Sequence, residues 1–458
     1  MEQTDTMPFS LPRSVTGPLT GPLTGPLTGP LTDQSDHRPL TIAVLCMHTS
    51  PLAQPGTGDG GGMNVYVREL ATSMARAGVR CEVYTRADRP GLPPTIDVEP
   101  GFRVHHVPAG PVAFVEKEAL PALVPAFAAA VESHLRTNAI VPDIIHANYW
   151  LSGRVGVILK FRLDAPLVTT FHTLALVKAA GNDPEPDERA AAEREVVSCS
   201  DLVCASCTVE RDQLVHLYGA RPDRVIEIPL GVHHAFFSPV PATPSGLLER
   251  TGARQAVSAN IGQLGGGPLV VFVGRLQPLK GAELAVQALA KLHRPDVTLL
   301  IVGGPSGRGG NAELHRLHEL IATRGLQGQV RFVSPQPHYL LSTFYRAADV
   351  VLVPSRSESF GLVALEASAC GTPVIASAVG GLTSLIDDGV TGWLIANRDP
   401  QAYAEKLRLL FSNPDLATAM GAAAATRARR YAWSATATRV KDAFEELASR
   451  APLPCGAC

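Results

Sequence analysis

The chain has 458 residues, of which 45% are hydrophobic and 18% are charged, a composition typical of a folded globular protein. A chain of this length is too long to fold around one hydrophobic core, which predicts two domains of roughly 150 to 200 residues each. The formal net charge of −2 gives no overall attraction to nucleic acid or to an anionic membrane. No apolar run approaches the roughly 18 residues of a membrane span. We therefore expect small-molecule partners, with any anionic ligand held by a local cluster of cations.

The N-terminal segment is of low complexity. Residues 17–32 repeat Gly-Pro-Leu-Thr four times, which places a proline in every unit and leaves almost nothing to bury. Such a composition predicts a disordered tail over residues 1–38. The segment lacks the basic region and uninterrupted apolar run of a secretory signal, so we expect a cytoplasmic protein.

Most of the eight cysteines lie in apolar runs, which predicts reduced thiols in the core. Cys204 and Cys207 form one CxxC pair, and Cys455 and Cys458 form another, so a zinc site is an alternative. The first pair ends a predicted strand and the second lies on a predicted tail, residues 451–458. We therefore favour reduced thiols over a metal site.

From residue 40 onward, short apolar runs alternate with segments of helical periodicity, a pattern typical of βαβ units and a parallel sheet. An N-terminal Rossmann-like domain is predicted over residues 39–238, and a Pro/Gly-rich stretch at 229–246 ends it. A second doubly wound domain is predicted over residues 239–430. A C-terminal helix at 431–450 is expected to return to the first domain. The predicted strands are 40–47, 81–85, 144–147, 167–170 and 202–205, then 269–273, 297–302, 330–333, 350–353 and 374–376.

Two cations follow the strand at 269–273. Arg275 and Lys280 lie just beyond its carboxyl end, the edge at which open α/β sheets bind ligands. A planar guanidinium and a mobile ammonium suit a diphosphate whose negative charge grows as it leaves. Taken alone, either residue would more often be a solvated surface cation, but their joint placement favours a phosphate site.

Two carboxylates lie eight residues apart in the segment 354–366. Glu358 falls in a loop after a strand and is predicted to hold hydroxyls of a transferred sugar, although it could instead cap a helix. Glu366 lies about one turn into the helix and could accept hydrogen bonds from a ribose, or be an ordinary solvated residue. Free amides near Gly361, where this helix begins, can receive phosphate oxygens.

The N-terminal domain offers a glycine-rich loop at 56–62 and a histidine at a strand end. The loop opens a helix and could meet a phosphate or a sugar, or be a tight turn. A dinucleotide site would require an acid at the end of the second strand, which is absent here, so neither nicotinamide nor flavin is expected. His172 follows the strand at 167–170 and could donate to a sugar, although an isolated histidine is more often structural.

In this order, these motifs resemble those of glycosyltransferase family 4, whose members have the GT-B fold of two Rossmann-like domains facing a cleft. The resemblance extends from residue 40 to about residue 445. Segments 47–59, 61–66, 149–153 and 275–280 resemble a narrower group within the family. Its members transfer N-acetylglucosamine from UDP-N-acetylglucosamine to 1D-myo-inositol 3-phosphate with retention, an early step of mycothiol biosynthesis. They form homodimers.

This resemblance implies a role for each matching residue. The implied catalytic residues are Arg275, Lys280, Glu358 and His172. The implied donor-binding residues are Gln54, Pro55, Gly62, Arg275, Lys280, Gln336, Glu358 and Glu366. The implied acceptor-binding residues are His48, Asp59, Gly60, Gly61, Gly62, Met63, Asn64, Lys117, Tyr149, Thr173 and Arg189. A structural magnesium ion is implied at Tyr345, Arg346, Ala348 and Thr372, through backbone carbonyls and without the carboxylates that such a site usually has.

Departures from the family pattern fall on the acceptor side. The usual His-Ser-His-Tyr-Trp run reads His146-Ala-Asn148-Tyr-Trp here, and an expected Lys-Asn pair reads Lys178-Ala. Two alternatives therefore stay open: a family 4 enzyme with another acceptor, such as a sucrose-phosphate-type enzyme, and a sugar-nucleotide epimerase of the same fold. A binding protein without catalysis is disfavoured, because the donor-side motifs are intact.

Overall fold

The computed structural model describes residues 38–183, 185–239, 244–262, 264–307 and 309–455. The predicted disordered tail, residues 1–38, lies outside the described residues apart from Arg38. Within the described part of the chain, no helix is both long and apolar enough to cross a membrane.

The first lobe is built on an eight-stranded sheet with the strand order β3-β4-β2-β1-β5-β6-β7-β8. Its strands are β1 (Thr41–Leu45), β2 (Arg80–Arg86), β3 (Thr95–Glu99), β4 (Phe102–Val107), β5 (Ile144–Asn148), β6 (Leu167–Thr170), β7 (Leu202–Ala205) and β8 (Val225–Glu227). Its helices are α1 (Gly62–Arg76), α2 (Val124–Thr137), α3 (Trp150–Leu163), α4 (Ala175–Ala180), α5 (Asp187–Cys199) and α6 (Thr208–Tyr218). All neighbouring strands run parallel except β3 and β4.

The second lobe is built on a six-stranded parallel sheet with the order β11-β10-β9-β12-β13-β14. Its strands are β9 (Leu269–Val273), β10 (Thr298–Val302), β11 (Val330–Val333), β12 (Val350–Val353), β13 (Val374–Ser377) and β14 (Gly392–Ile395). Its helices are α7 (Pro244–Ile261), α8 (Ala282–Leu292), α9 (Gly310–Thr323), α10 (Leu341–Ala347), α11 (Leu362–Ala369), α12 (Leu382–Leu385), α13 (Pro400–Ser412) and α14 (Pro414–Ala428). The predicted fold class, with two doubly wound α/β sheets, is confirmed.

In each sheet, the strand order reverses at the strand that comes first in the chain. In the first lobe β1 lies between β2 and β5, and in the second lobe β9 lies between β10 and β12. Connections leave on opposite faces at such a point and open a crevice at the carboxyl ends of the strands. The glycine-rich loop follows β1 and the Arg275 segment follows β9, so the topology brings both to a crevice.

The last helix, α15 (Trp433–Ala448), packs against α1 of the first lobe. The Trp433 ring lies edge-on to Tyr66, with centroids 6.0 Å apart, and the Phe444 ring lies 5.4 Å from His146. A Cβ atom on Gly231 would come within 2.3 Å of the Trp433 backbone nitrogen. Glycine at this position therefore lets the two chain segments approach closely.

The expectation of reduced cysteines is wrong for one pair. Cys199, the last residue of α5, forms a disulfide with Cys455, 256 residues later. The C-terminal segment reaches α5 because the Leu453 backbone N–H donates to Asp201 Oδ1 at 2.6 Å. Five other cysteines are free and buried: Cys46, Cys81, Cys204, Cys207 and Cys370. Sequence spacing gave no signal of so distant a pairing.

Candidate active site

A cavity of about 1560 Å³ lies between the carboxyl ends of the two sheets. It exceeds the roughly 300 to 1000 Å³ of an ordinary small-molecule pocket, so it has room for two substrates. Residues of both lobes line it, among them Gly62 and Tyr149 on one side and Arg275 and Glu358 on the other.

The glycine-rich loop of the first lobe lines the cavity and contacts the second lobe. The Asn64 side chain fixes the loop: its Oδ1 accepts from the Gly61 N–H at 2.8 Å, and its Nδ2 donates to the Ser50 carbonyl at 2.6 Å. Gln54 Nε2 donates across to the Pro335 carbonyl at 3.0 Å. The Gly61 position faces Arg275 so closely that a Cβ atom there would lie 3.5 Å from Nε.

The two donor-side cations are held differently. Lys280 Nζ donates to Glu358 Oε2 at 2.7 Å, and Ser355 Oγ donates to the same oxygen at 3.2 Å. Among the described residues, Arg275 makes one long contact, 3.5 Å from Nη1 to Ser306 Oγ. Burial lowers the pKa of Arg275, which the nearby Asp59 and Glu358 partly oppose. A half-buried guanidinium with weak partners is suited to an incoming phosphate.

Glu366 is buried on α11 and both of its oxygens accept hydrogen bonds. His338 Nε2 donates to Oε1 at 2.6 Å and the Tyr345 hydroxyl donates to Oε2 at 2.9 Å. Burial alone would lower the pKa of His338, but the Glu366 carboxylate outweighs it and raises the pKa. A ribose hydroxyl would therefore meet a carboxylate whose orientation is already fixed.

Two histidines of the first lobe face the cavity. His172 has a left-handed backbone, with φ of 63°, and its Nε2 donates to Asn148 Oδ1 at 2.9 Å. Burial lowers the pKa of His172 to about 3, with smaller effects of His146 and His48. Burial likewise lowers the pKa of His48 to about 3, helped by the positive charges of Lys117, Arg189 and Arg275. Both rings are therefore neutral at physiological pH.

Arg189 lines the cavity from the first lobe and contacts several residues that the family resemblance implies for the acceptor. Its Nη2 donates to the Thr173 carbonyl and to Thr173 Oγ1, both at 3.0 Å. Its guanidinium lies over the Tyr149 ring, 5.0 Å from the centroid, and Tyr149 also contacts the His48 ring at 4.5 Å. Lys117 also lines the cavity, and its positive charge, like that of Arg189, acts on His48. The first lobe therefore contributes two cations to the cavity, in addition to Arg275 and Lys280 of the second lobe.

The segment implied for magnesium has other partners. The Ala348 carbonyl accepts from Arg250 Nη2 at 2.9 Å, and the Tyr345 carbonyl accepts from Thr372 Oγ1 at 2.6 Å. The Arg346 side chain donates to the Phe236 carbonyl at 2.6 Å. Carbonyl oxygens that already accept from a guanidinium and a hydroxyl do not fit a cation. Magnesium at Tyr345, Arg346, Ala348 and Thr372 stays a prediction that these contacts do not support.

Protein-family models and known proteins match most of this sequence. Residues 61–231 match the glycosyl transferase 4-like domain, and residues 254–427 match glycosyl transferases group 1. A D-inositol 3-phosphate glycosyltransferase of Kineococcus radiotolerans is 44% identical over 422 residues, which are 88% of this chain and 94% of the relative. One from Frankia alni is 44% identical over 421 residues, 89% of this chain and 100% of the relative. The chain belongs to the D-inositol 3-phosphate glycosyltransferase family.

Solved structures extend this family assignment to the fold. Sucrose-phosphate synthase from Thermosynechococcus elongatus matches with a TM-score of 0.81 and 31% identity, over 90% of this chain and 99% of that one. WaaG, a glycosyltransferase involved in lipopolysaccharide biosynthesis, matches with a TM-score of 0.65 and 20% identity, over 88% and 99% of the two chains. The chain is a glycosyltransferase of the GT-B fold. The sucrose-phosphate-type alternative is not favoured, since the D-inositol 3-phosphate relatives are more similar in sequence.

Most residues implied by the family resemblance line the cavity. They are His48, Pro55, Asp59, Gly61, Gly62, Met63, Lys117, Tyr149, His172, Thr173, Arg189, Arg275, Lys280, Gln336, Glu358 and Glu366. Gln54, Gly60 and Asn64 instead shape the loop: a Cβ atom on Gly60 would lie 2.7 Å from the Gln54 carbonyl oxygen. The sequence reading missed His338 and Glu185, which also line the cavity. His338 contacts Glu366, 28 residues later, whereas Glu185 contacts Arg189, four residues later, a spacing that places two residues on one helical face only where a helix spans both.

Proposed function

We propose that this chain transfers N-acetylglucosamine from UDP-N-acetylglucosamine to 1D-myo-inositol 3-phosphate with retention, an early step of mycothiol biosynthesis. One observation carries the proposal: cations of both lobes line a single cavity, Arg275 with Lys280 on the second lobe and Lys117 with Arg189 on the first. The first pair suits the diphosphate of a donor and the second suits the phosphate of an acceptor. A neutral acceptor would not require Lys117 and Arg189.

In the proposed mechanism, the inositol hydroxyl attacks the anomeric carbon from the face that UDP leaves, and the hydroxyl proton passes to an oxygen of the leaving diphosphate. Arg275, Lys280 and the amides that begin α11 near Gly361 stabilise the charge on the leaving diphosphate. Glu358 holds hydroxyls of the sugar and Glu366 holds the ribose. Neutral His172 can donate a hydrogen bond to the sugar, and no side chain has to be a covalent nucleophile.

The test measures UDP release from UDP-N-acetylglucosamine by the purified chain. Three reactions are compared: one with 1D-myo-inositol 3-phosphate, one with unphosphorylated inositol, and one without acceptor. We expect UDP release only with the phosphorylated acceptor. Equal release in all three would indicate hydrolysis or another sugar-nucleotide reaction, and no release in any would leave both substrates to be found. Cytoplasmic location, a homodimer and magnesium stay predictions that this assay does not address.

A further inference from the structure

Two carboxylates hold Arg189, and they are anchored very differently. Glu193 Oε1 accepts from Arg189 Nε at 2.8 Å. The other oxygen, Oε2, accepts from the Tyr218 hydroxyl at 2.6 Å and from the Ala175 N–H at 2.9 Å. The Glu193 side chain is completely buried. Its contacts join α4, α5 and α6, so Glu193 is a fixed support for the arginine.

Within the described part of the chain, the polar contacts of the Glu185 carboxylate are with two cations. Glu185 precedes α5 on the connection from α4 and lines the cavity. Its Oε1 lies 2.8 Å from Arg189 Nη1, and the same oxygen contacts Lys178 Nζ. In the described part of the chain, Arg189 Nη1 has no aligned hydrogen-bond acceptor, so the contact with Glu185 is an ion pair without hydrogen-bond geometry.

The charges around Glu185 resemble those required by a phosphate. Burial alone would raise the pKa of Glu185, but Arg189, Lys178 and Lys117 outweigh burial and lower it. The carboxylate is therefore ionised among three cations of the acceptor side. A phosphate dianion has more charge and a third acceptor oxygen, so it can give Nη1 the aligned partner that Glu185 does not.

We propose that the Glu185 carboxylate occupies the acceptor-phosphate position on Arg189 in the free protein and must leave when the anionic acceptor binds. Glu185 is thus an internal competitor that sets the affinity for the acceptor phosphate. This inference rests on the proposed function in one respect only, namely that the acceptor carries a phosphate.

When an internal competitor occupies a site, the apparent affinity for the ligand equals the intrinsic affinity multiplied by the fraction of molecules whose site is open. Glu185→Gln keeps the size of the side chain and removes its charge, so we expect it to lower the dissociation constant for phosphate by about fivefold. Asp187→Asn is the matched control, because Asp187 is exposed on the first turn of α5 and its substitution removes the same charge. Glu185→Ala is a second variant, which removes the ion pair without leaving an amide.

The first experiment titrates inorganic phosphate into the full-length chain in the presence of UDP, by isothermal titration calorimetry. Tighter binding by Glu185→Gln and Glu185→Ala, with Asp187→Asn unchanged, would support the proposal. Unchanged or weaker binding by both Glu185 variants would overturn it, since Glu185 would then be a support and not a competitor. Equal tightening by Asp187→Asn would also overturn it, because a general loss of negative charge would explain the effect.

The second experiment separates this inference from the proposed function. UDP release is measured while 1D-myo-inositol 3-phosphate or UDP-N-acetylglucosamine is varied. In Glu185→Gln, KM for the acceptor should fall about fivefold while KM for the donor stays constant. A fall in both KM values, or in neither, would overturn the competitor role. If the unsubstituted chain releases no UDP, the proposed function fails, and the phosphate titration still decides the role of Glu185.

Discussion

Arg275 is a half-buried cation of the cavity with a weak hydrogen-bond partner, whereas Lys280 donates to Glu358. Among the described residues, the hydrogen-bond partner of Arg275 is Ser306 Oγ, at 3.5 Å. Because a phosphate would complete its coordination, we expect Arg275→Ala to lower kcat by roughly 100- to 1000-fold, the usual loss for one such donor. The measurement is steady-state UDP release.

Folding has to be controlled in that experiment. Arg331→Ala removes an exposed arginine of β11 in the same lobe and should leave kcat unchanged. Thermal unfolding of Arg275→Ala should match that of the unsubstituted chain. Near-normal turnover of Arg275→Ala would remove Arg275 from the mechanism.

His146 predicts how stability depends on pH. It is buried on β5, hydrogen-bonded to Thr170 Oγ1 at 2.9 Å, and burial lowers its pKa to about 4. The unfolded chain, with a histidine pKa of about 6.5, binds this proton more readily. The free energy of unfolding should therefore fall as pH drops below about 6.5, by up to about 1.4 kcal/mol per pH unit from this residue.

Urea unfolding at pH 7.5 and pH 5.0 measures this effect. His146→Gln should show a smaller loss of unfolding free energy between the two values than the unsubstituted chain. His216→Gln is the control, because His216 is exposed on α6 and should leave the difference unchanged. An undiminished loss in His146→Gln would assign the acid sensitivity to other groups.

At the scale of single elements, α15 contributes stability to a lobe that is distant from it in sequence. Phe444 is fully buried against the first lobe. Phe444→Ala should lower the free energy of unfolding by about 3 to 5 kcal/mol, because it removes an aromatic ring and leaves a cavity. Urea denaturation is the measurement. Phe161→Ala, on an exposed ring of α3, should change it by no more than about 0.5 kcal/mol.

The elements also show which features the sequence could predict. Helix α1 could be predicted because Val67, Leu70, Ala71 and Met74 share one helical face. All four are buried in the structure. The strands at 167–170 and 202–205 have the predicted bounds. The positions of Arg275 and Glu366 could be predicted because each lies beside a local signal. Arg275 follows the end of β9, and Glu366 follows the start of α11.

Other site features depend on contacts between elements and have no local signal. Glu193 supports Arg189 because Tyr218 and the Ala175 N–H, on two different helices, fix its second oxygen. Asn64 lies on the first turn of α1, and nothing beside it in sequence indicates that its side chain anchors the glycine-rich loop. The pairing of Cys199 with Cys455 joins residues 256 positions apart, beyond the reach of any periodicity.

At the scale of the whole molecule, the lobes contact each other directly around the cavity. Ser359 Oγ donates to the His172 carbonyl at 2.5 Å, and Gln54 reaches Pro335. Ser306 Oγ donates to the Gly58 carbonyl. Gly58, His172, Pro335 and Ser359 also line the cavity, so the contacts between the lobes lie at the cavity wall.

The Cys199–Cys455 disulfide turns most of the polypeptide into a covalent ring. The ring begins in the first lobe, runs through the whole second lobe and closes on the first again. One proteolytic cut within it therefore opens the ring without releasing a fragment. After limited digestion, the two pieces should migrate as one band on a non-reducing gel and separate with dithiothreitol, whereas Cys199→Ser should separate without it. Separation of the unsubstituted chain without reductant would mean that the ring is open in solution.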